Sequence, residues 1–252
     1  MLVQERSAGD LRLFEQHEHG LVSGELAAAW RVPPEAGPLS QELVLATALH
    51  DLGWKELDEA PLWNPETRLP HDFRSFPAPE RYQAAARGID WISELHPYAG
   101  VLVSLHYAAL GKETAPADFL EEEENRRLAL LAELGPDAPS AARMRRDLAR
   151  LQLLDRMSLH LCLASPDALP GSIPEWLARD RFEDADGHGP VRARWLSSRR
   201  IEIDPFPFEG REVELEIAYR DLEGAPYESA KALAKAWKES EDGTLSLLLL
   251  RP

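Results

Sequence analysis

Apolar residues recur at intervals of three and four along most of the first two thirds of the chain, which is the spacing of one face of an α-helix. This pattern predicts helices at about 17–30, 40–53, 80–95 and 97–110, and again within ADFLEEEENRRLALLAEL and SAARMRRDLARLQLLDRMSLHLCLA. Residues 55–79 interrupt the series with five prolines. Because that segment is long and irregular, we expect it to be a functional loop.

The pattern changes to alternation at both ends of the chain. The opening residues are typical of a short β-hairpin, and strands are predicted within RWLSSRRIEIDPFPF, REVELEIAYRDL and TLSLLLL. One more helix is predicted in YESAKALAKAWKES. We therefore expect a mainly α protein. Its helical body would span 1–168 and carry the N-terminal hairpin, and a small C-terminal α+β extension would follow at 169–252.

The composition narrows the range of functions. The 252 residues carry a formal net charge of -16, so we expect no nucleic-acid partner, because such partners are bound mainly through Lys and Arg. The lone cysteine, Cys162, excludes a disulfide within the chain. A secretory leader is not apparent, and the apolar runs are shorter than the roughly 20 residues of a membrane helix. We therefore expect a cytoplasmic protein that does not enter a membrane.

Ionisable residues occur on the apolar faces of four predicted helices. His19, His50, His106 and Asp155 each lie in register with apolar neighbours, and Asp51 follows on the adjacent stripe. A buried carboxylate without a partner is costly, whereas imidazole and carboxylate groups are suitable ligands for a divalent metal. We therefore predict one or two ions of Fe, Mn, Zn, Ni or Mg. Taken singly, each histidine could be a hydrogen-bonded core residue, and Asp155 could form a surface ion pair with the arginine that follows it.

The order of these residues resembles the pattern H…HD…D of the HD-domain superfamily of metal-dependent phosphohydrolases. The whole chain also resembles a bacterial HD-like family catalogued as a domain of unknown function. The stretches that carry the resemblance are QHEHGLVSGELAAAW, ALHDLGWKELDEAPLWN, YAGVLVSLHYAAL, LLDRMSLHLC and DPFPF. The resemblance implies an HD-domain-like helical bundle in which one metal is held by His19, His50, Asp51 and Asp155.

The resemblance leaves some positions open. His106 is similar to the extra histidines of binuclear HD proteins, which usually supply two, and His96 or His71 could be the second. Many HD phosphohydrolases continue with HD-x-G-K, which puts a lysine near the substrate phosphate. This chain has Trp54 at that position and Lys55 one residue later. The missing lysine weakens the expectation of a phosphorylated substrate more than it weakens the expectation of a metal site.

The function expected from these residues is the hydrolysis of a small phosphoester or nucleotide-like substrate. A metal-bound water would attack the substrate, and His17 or Lys55 would protonate the leaving group. Two alternatives stay open. One is a di-iron oxidoreductase of the oxygenase type with the same ligands, and the other is a non-catalytic module that binds a metal or a small molecule.

Overall fold

The computed structural model describes every residue except 8, 32–38 and 184–189. The described residues contain eight α-helices: α1 (Gln16–Ala29), α2 (Gln41–Leu49), α3 (Ala78–Leu95), α4 (Pro97–Leu110), α5 (Ala117–Leu134), α6 (Ala141–Leu163), α7 (Glu175–Ala178) and α8 (Ala230–Glu239). They also contain seven strands: β1 (Leu2–Ser7), β2 (Asp10–Phe14), β3 (Arg181–Phe182), β4 (Val191–Ser197), β5 (Arg200–Asp204), β6 (Glu212–Leu222) and β7 (Asp242–Leu250). Helices account for 49% of the structure.

The strands of the described chain join one curled, mixed sheet in the order β1-β2-β6-β7-β5-β4-β3. Neighbouring strands are antiparallel except β5 and β7, which run parallel. The protein is therefore an α/β fold, and the prediction of a mainly α, HD-domain-like helical bundle was wrong. Alternation along the chain predicts strands but does not show which strand pairs with which. The N-terminal hairpin is thus part of the same sheet as the C-terminal strands.

The two ends of the chain are joined between β2 and β6. Leu11 pairs with Leu222 in the antiparallel ladder. Next to that pair, Arg12 Nε and Nη2 each donate to a carboxylate oxygen of Asp221 at 2.7 Å. The same guanidinium stacks over the ring of Tyr219, 3.5 Å from its centroid. The predicted division into a body and an extension stays a prediction, but strands from both contribute to this sheet.

Hydrophobic side chains cover the sheet on two sides. The main core joins helices α1 to α6 to one face, where inward residues such as Ile217 and Leu247 alternate with outward ones. A second, smaller core lies under α8, where Leu233 packs with Leu11 of β2. Among the helices of the described chain, none is long and apolar enough to cross a bilayer.

The second helix ends earlier than its apolar pattern predicted. α2 stops just before His50, and His50 and Asp51 form the turn into a short 3-10 helix at Leu52–Trp54. Gly53 then packs directly on α3, where an added Cβ would lie 2.0 Å from the Ala84 carbonyl oxygen. This close approach favours a turn over a continued helix. It places the His-Asp pair at the end of α2 instead of along its side.

Candidate metal centre

Five histidine and aspartate side chains from four helical segments meet inside the helical layer. His19 comes from α1, His106 from α4 and Asp155 from α6, while His50 and Asp51 lie in the turn after α2. All five are buried. They are the five residues predicted to bind metal, and the structure brings them together. Their role as ligands stays a prediction.

The spacing of their side-chain atoms suits one small ion. Asp51 Oδ2 lies 3.0 Å from His19 Nε2 and 3.7 Å from His50 Nε2. Asp155 lies 3.5 Å from His50 Nε2 through Oδ1 and 3.7 Å from His106 Nε2 through Oδ2. In two triads, His19–His50–Asp51 and His50–His106–Asp155, the possible ligand atoms all lie within 4.8 Å of one another. Metal–ligand bonds are about 2.1 Å long, so opposite ligands of one ion are about 4.2 Å apart and the donor set fits a divalent metal.

His50 has the ring nitrogen that is most clearly available to bind a metal. Its Nδ1 donates to the Thr47 carbonyl oxygen at 2.8 Å, which fixes the proton on Nδ1 in the neutral ring. Its Nε2 is buried and has no hydrogen-bond partner in the described chain. A buried nitrogen without a partner is costly unless a ligand satisfies it. Histidines that bind metals commonly donate through their other nitrogen to a carbonyl in this way.

Hydroxyl groups behind His19 orient its ring in a similar way. Ser158 donates to the main-chain carbonyl of Asp155 at 2.9 Å and accepts from the Ser23 hydroxyl at 2.7 Å. Because the Ser158 proton is already used, its oxygen accepts from His19 Nδ1, 2.7 Å away. The lone pair of His19 is then on Nε2, the nitrogen that faces Asp51.

Asp51 is also held through Oδ1, the carboxylate oxygen that does not face His19. Its Oδ1 accepts from the Tyr107 hydroxyl at 2.6 Å, and that hydroxyl accepts from Trp54 Nε1 at 3.1 Å. Burial alone would raise the pKa of Asp51, but His50, the contact with His19 and the hydrogen bond from Tyr107 lower it well below its usual range. Burial and the same carboxylate raise the pKa of Tyr107, so its hydroxyl stays a donor. The sequence interpretation missed Tyr107, although its position directly after His106 in a buried helix was an available signal.

The charges of the cluster are set by burial and by its two carboxylates. Burial alone would lower the pKa of His50, but Asp51 and Asp155 outweigh this effect and raise it to about 9. Burial lowers the pKa of His106 to about 4, so that ring is neutral near pH 7. Burial opposes ionisation of Asp155, but its contact with His50 lowers the pKa below the ordinary value. Two ionised carboxylates therefore meet here. Without a bound ion, the protonated ring of His50 offsets one of them at pH 7. A divalent cation would displace the proton from His50 Nε2 and is a suitable counter-charge for both carboxylates.

The cluster lines a cavity of about 550 Å³. Three arginines line the same cavity: Arg74 from the loop before α3, Arg81 from α3 and Arg156 from α6. The other lining residues, mostly aromatic or apolar, are Gln16, Trp54, Phe73, Tyr82, Tyr107, Leu110, Leu159 and Trp176. The chain carries a net charge of -16, but the cavity lining holds three arginines and two carboxylates. Arg74 is paired with Asp72, which lies outside the lining, so the charges of Arg81 and Arg156 are the ones that favour an anionic ligand.

Four other residues that the sequence singled out are not among those that line the cavity. Lys55 is exposed, and His17 is only partly buried on α1. His96 accepts a main-chain N–H at the start of α4, 3.1 Å away, and so caps that helix. His71 lies 3.2 Å from the hydroxyl of Ser75 in the loop. The structure therefore does not bring these four side chains to the cluster.

The fold and the site define an α/β protein with a buried histidine–aspartate cluster in an arginine-lined cavity. The chain belongs to the family described as "Protein of unknown function (DUF3891)", whose model matches residues 1–224. No curated protein and no solved structure matches the chain. The predicted membership of a family of unknown function is thus confirmed, and a kinship with the HD-domain superfamily is not part of that finding. The match runs across the boundary predicted at residue 168.

Proposed function

We propose that this protein is a metal-dependent hydrolase that acts on a small phosphoester or nucleotide-like substrate. The observation that carries the proposal is the convergence of His19, His50, Asp51, His106 and Asp155 in one cavity. The buried His50 Nε2, which has no hydrogen-bond partner among the described residues, is the atom that a bound ion would satisfy. The arginines in the same cavity support an anionic substrate.

A single ion accounts best for the cluster. The two triads share His50, whose available nitrogen is Nε2 because Nδ1 is bonded to the carbonyl of Thr47. The lone pair on His50 Nε2 can bind only one ion. The two triads can therefore both bind metal only if they share that ion. This sharing supports a mononuclear site over the two ions that the di-iron alternative requires.

A divalent ion bound here would lower the pKa of a coordinated water and neutralise charge on a phosphoryl oxygen. The residues that would hold it are His19, His50 and His106 through ring nitrogens, and Asp51 and Asp155 through their carboxylate oxygens. Tyr107 donates to Asp51 Oδ1 and so leaves Oδ2 for the ion. The arginines of the cavity would bind the substrate oxygens that do not react.

A kinship with the HD-domain superfamily belongs to the same proposal. It is supported by the order of His19, His50–Asp51 and Asp155 along the chain and by their meeting at one point. The helical-bundle part of the resemblance does not carry over, because the chain has a seven-stranded sheet in its described part. His17 and Lys55 do not line the cavity, so the proposal assigns proton transfer to neither.

Elemental analysis of the purified protein tests the metal site. We expect about one divalent ion per chain in the wild type and less than about a tenth of that in His50→Ala, because this variant loses the ligand that both triads share. His71→Ala is the matched control, since it removes the histidine of the other His-Asp pair in the chain, which does not line the cavity. This control should keep its metal.

Hydrolysis of a panel of phosphomonoesters and phosphodiesters tests the reaction. Activity should follow metal content: it should be present in the wild type and in His71→Ala, disappear on chelation and return when the metal is restored. Full metal content in His50→Ala would refute the site. A metal-loaded wild type that cleaves no phosphoester would refute the reaction, and two iron ions per chain would redirect the search to oxygen chemistry.

A further inference from the structure

Large apolar side chains are left exposed at the cavity that holds the histidine–aspartate cluster. Trp176 is 46% exposed and Leu110 is 61% exposed, and both line the cavity. The partly buried Phe73 lines it too. Exposed apolar surface of this kind, next to polar groups, commonly marks a place where a ligand binds.

Trp176 lies on α7, a short helix that is fastened to the rest of the molecule. His160 Nδ1 donates to the carbonyl of Leu177 at 3.0 Å, and His160 Nε2 accepts from Trp195 Nε1 at 3.1 Å. Burial lowers the pKa of His160, so the ring is neutral and has the one donor and one acceptor that these bonds need. The backbone that carries Trp176 is therefore held at the cavity.

Arg156 has the least engaged guanidinium of the three arginines in the cavity. Its Nε donates to the Gln152 carbonyl at 3.4 Å, and its two Nη groups make no hydrogen bond within the described residues. By contrast, Arg74 is paired with Asp72, and Arg81 donates to the carbonyl of Phe73 and the hydroxyl of Tyr82. Arg156 also directly follows Asp155 of the cluster, so its free donors lie on the same helix as a proposed ligand.

We propose that the substrate is an anionic ester with a flat apolar body, of the aryl phosphoester kind, whose body packs on Trp176 while Arg156 binds its charged group. This inference rests on the proposed function, which supplies the ester and the metal. A flat ring stacks on an indole face with centroids about 4.5–7 Å apart. Inorganic phosphate and small polyol phosphates have no such ring and would leave Trp176 and Leu110 exposed. We therefore expect the site to discriminate against them.

Calorimetric binding of two phosphonates to the metal-loaded protein tests this inference separately from turnover. Phenylphosphonate carries a flat ring and methylphosphonate does not, and neither has an ester bond that can be hydrolysed. We expect phenylphosphonate to bind at least about tenfold more tightly, because stacking and apolar burial add to the same charged contacts.

Two pairs of variants assign the contributions to the two side chains. Trp176→Ala should abolish the preference for phenylphosphonate, whereas Trp91→Ala, which removes a partly exposed tryptophan of α3 outside the cavity lining, should not. Arg156→Gln should weaken both phosphonates by about tenfold or more, because charge-assisted hydrogen bonds are lost. Arg146→Gln removes an exposed arginine of the same helix and should change neither affinity.

The outcomes separate this inference from the hydrolase proposal. Equal affinity for the two phosphonates, or a preference that survives Trp176→Ala, overturns the inference, and cleavage of phosphoesters by the same preparation would leave the hydrolase standing. Failure to bind either phosphonate overturns the inference as well. A preference that depends on Trp176, in a protein that cleaves no phosphoester, supports the inference about the ligand and overturns the hydrolase.

Discussion

The possible metal ligands of the candidate site could be predicted from the sequence, but the side chains that orient them could not. His19 and Asp51 stand out in the sequence because charged groups on apolar stripes need an explanation. Ser158 and Tyr107, which hold them, are ordinary polar residues of buried helices until the structure shows hydrogen bonds of 2.7 Å and 2.6 Å. These partners come from helices distant in sequence, so periodicity along one helix does not show which ligand each of them orients.

The orientation of Asp51 gives a prediction at the residue scale. Tyr107→Phe should weaken metal binding by about 10- to 100-fold, the usual effect of losing a hydrogen bond to a metal ligand, and should preserve the fold because the ring remains. Competition with a chromogenic chelator measures the affinity. Tyr98→Phe is the matched control, since it also removes a buried hydroxyl that donates to an aspartate, Asp147, outside the cavity lining. Equal affinities in the two variants would show that Asp51 does not depend on this hydroxyl.

Helices were predicted well and the site-bearing turn was not. The structure confirms the helix predicted at 97–110. It also has α6 within the stretch predicted to be helical, starting after Ser140, whose side chain caps it by accepting from the N–H of Arg143. These features are local, so the pattern of nearby residues determines them. The turn at His50 and Asp51 depends instead on the packing of the next residues against α3, which is a tertiary contact.

The packing of α1 on α2 gives a prediction at the scale of elements. A Cβ on Gly24 would lie 2.3 Å from the Cβ of Ala48, so Gly24→Ala should force the two helices apart and move His19 away from Asp51. We expect a loss of about 1–3 kcal/mol in the free energy of unfolding, measured in urea, and weaker metal binding. Adding Ala48→Gly to the same chain removes the obstructing methyl group and should restore part of the metal affinity. If the effects of Gly24→Ala and Ala48→Gly on metal affinity simply add in the double variant, the contact between these two residues does not set the position of His19 relative to Asp51.

At the scale of the whole molecule, the sheet was the main failure of sequence reasoning. Strands were predicted within 194–208, 211–222 and 244–250, where the structure has most of β4, all of β5 and β6 and the larger part of β7, and the N-terminal hairpin was predicted too. Their assembly was not, because β2 pairs with β6 across more than 190 residues of intervening chain. Such pairing depends on complementary faces and on partners like Arg12 and Asp221, which no local pattern brings together.

The joined sheet predicts that a fragment of residues 1–168 does not fold alone. Without β6, the β1–β2 hairpin is a two-stranded ribbon of marginal stability, and Arg12, only 7% exposed in the whole chain, loses its partner Asp221. We therefore expect the fragment to lack near-UV circular dichroism and to bind no metal tightly. Adding the fragment 169–252 should restore both signals, because it returns the missing strands. A fragment 1–168 that unfolds cooperatively and binds metal as tightly as the full chain would instead establish it as an independent helical body.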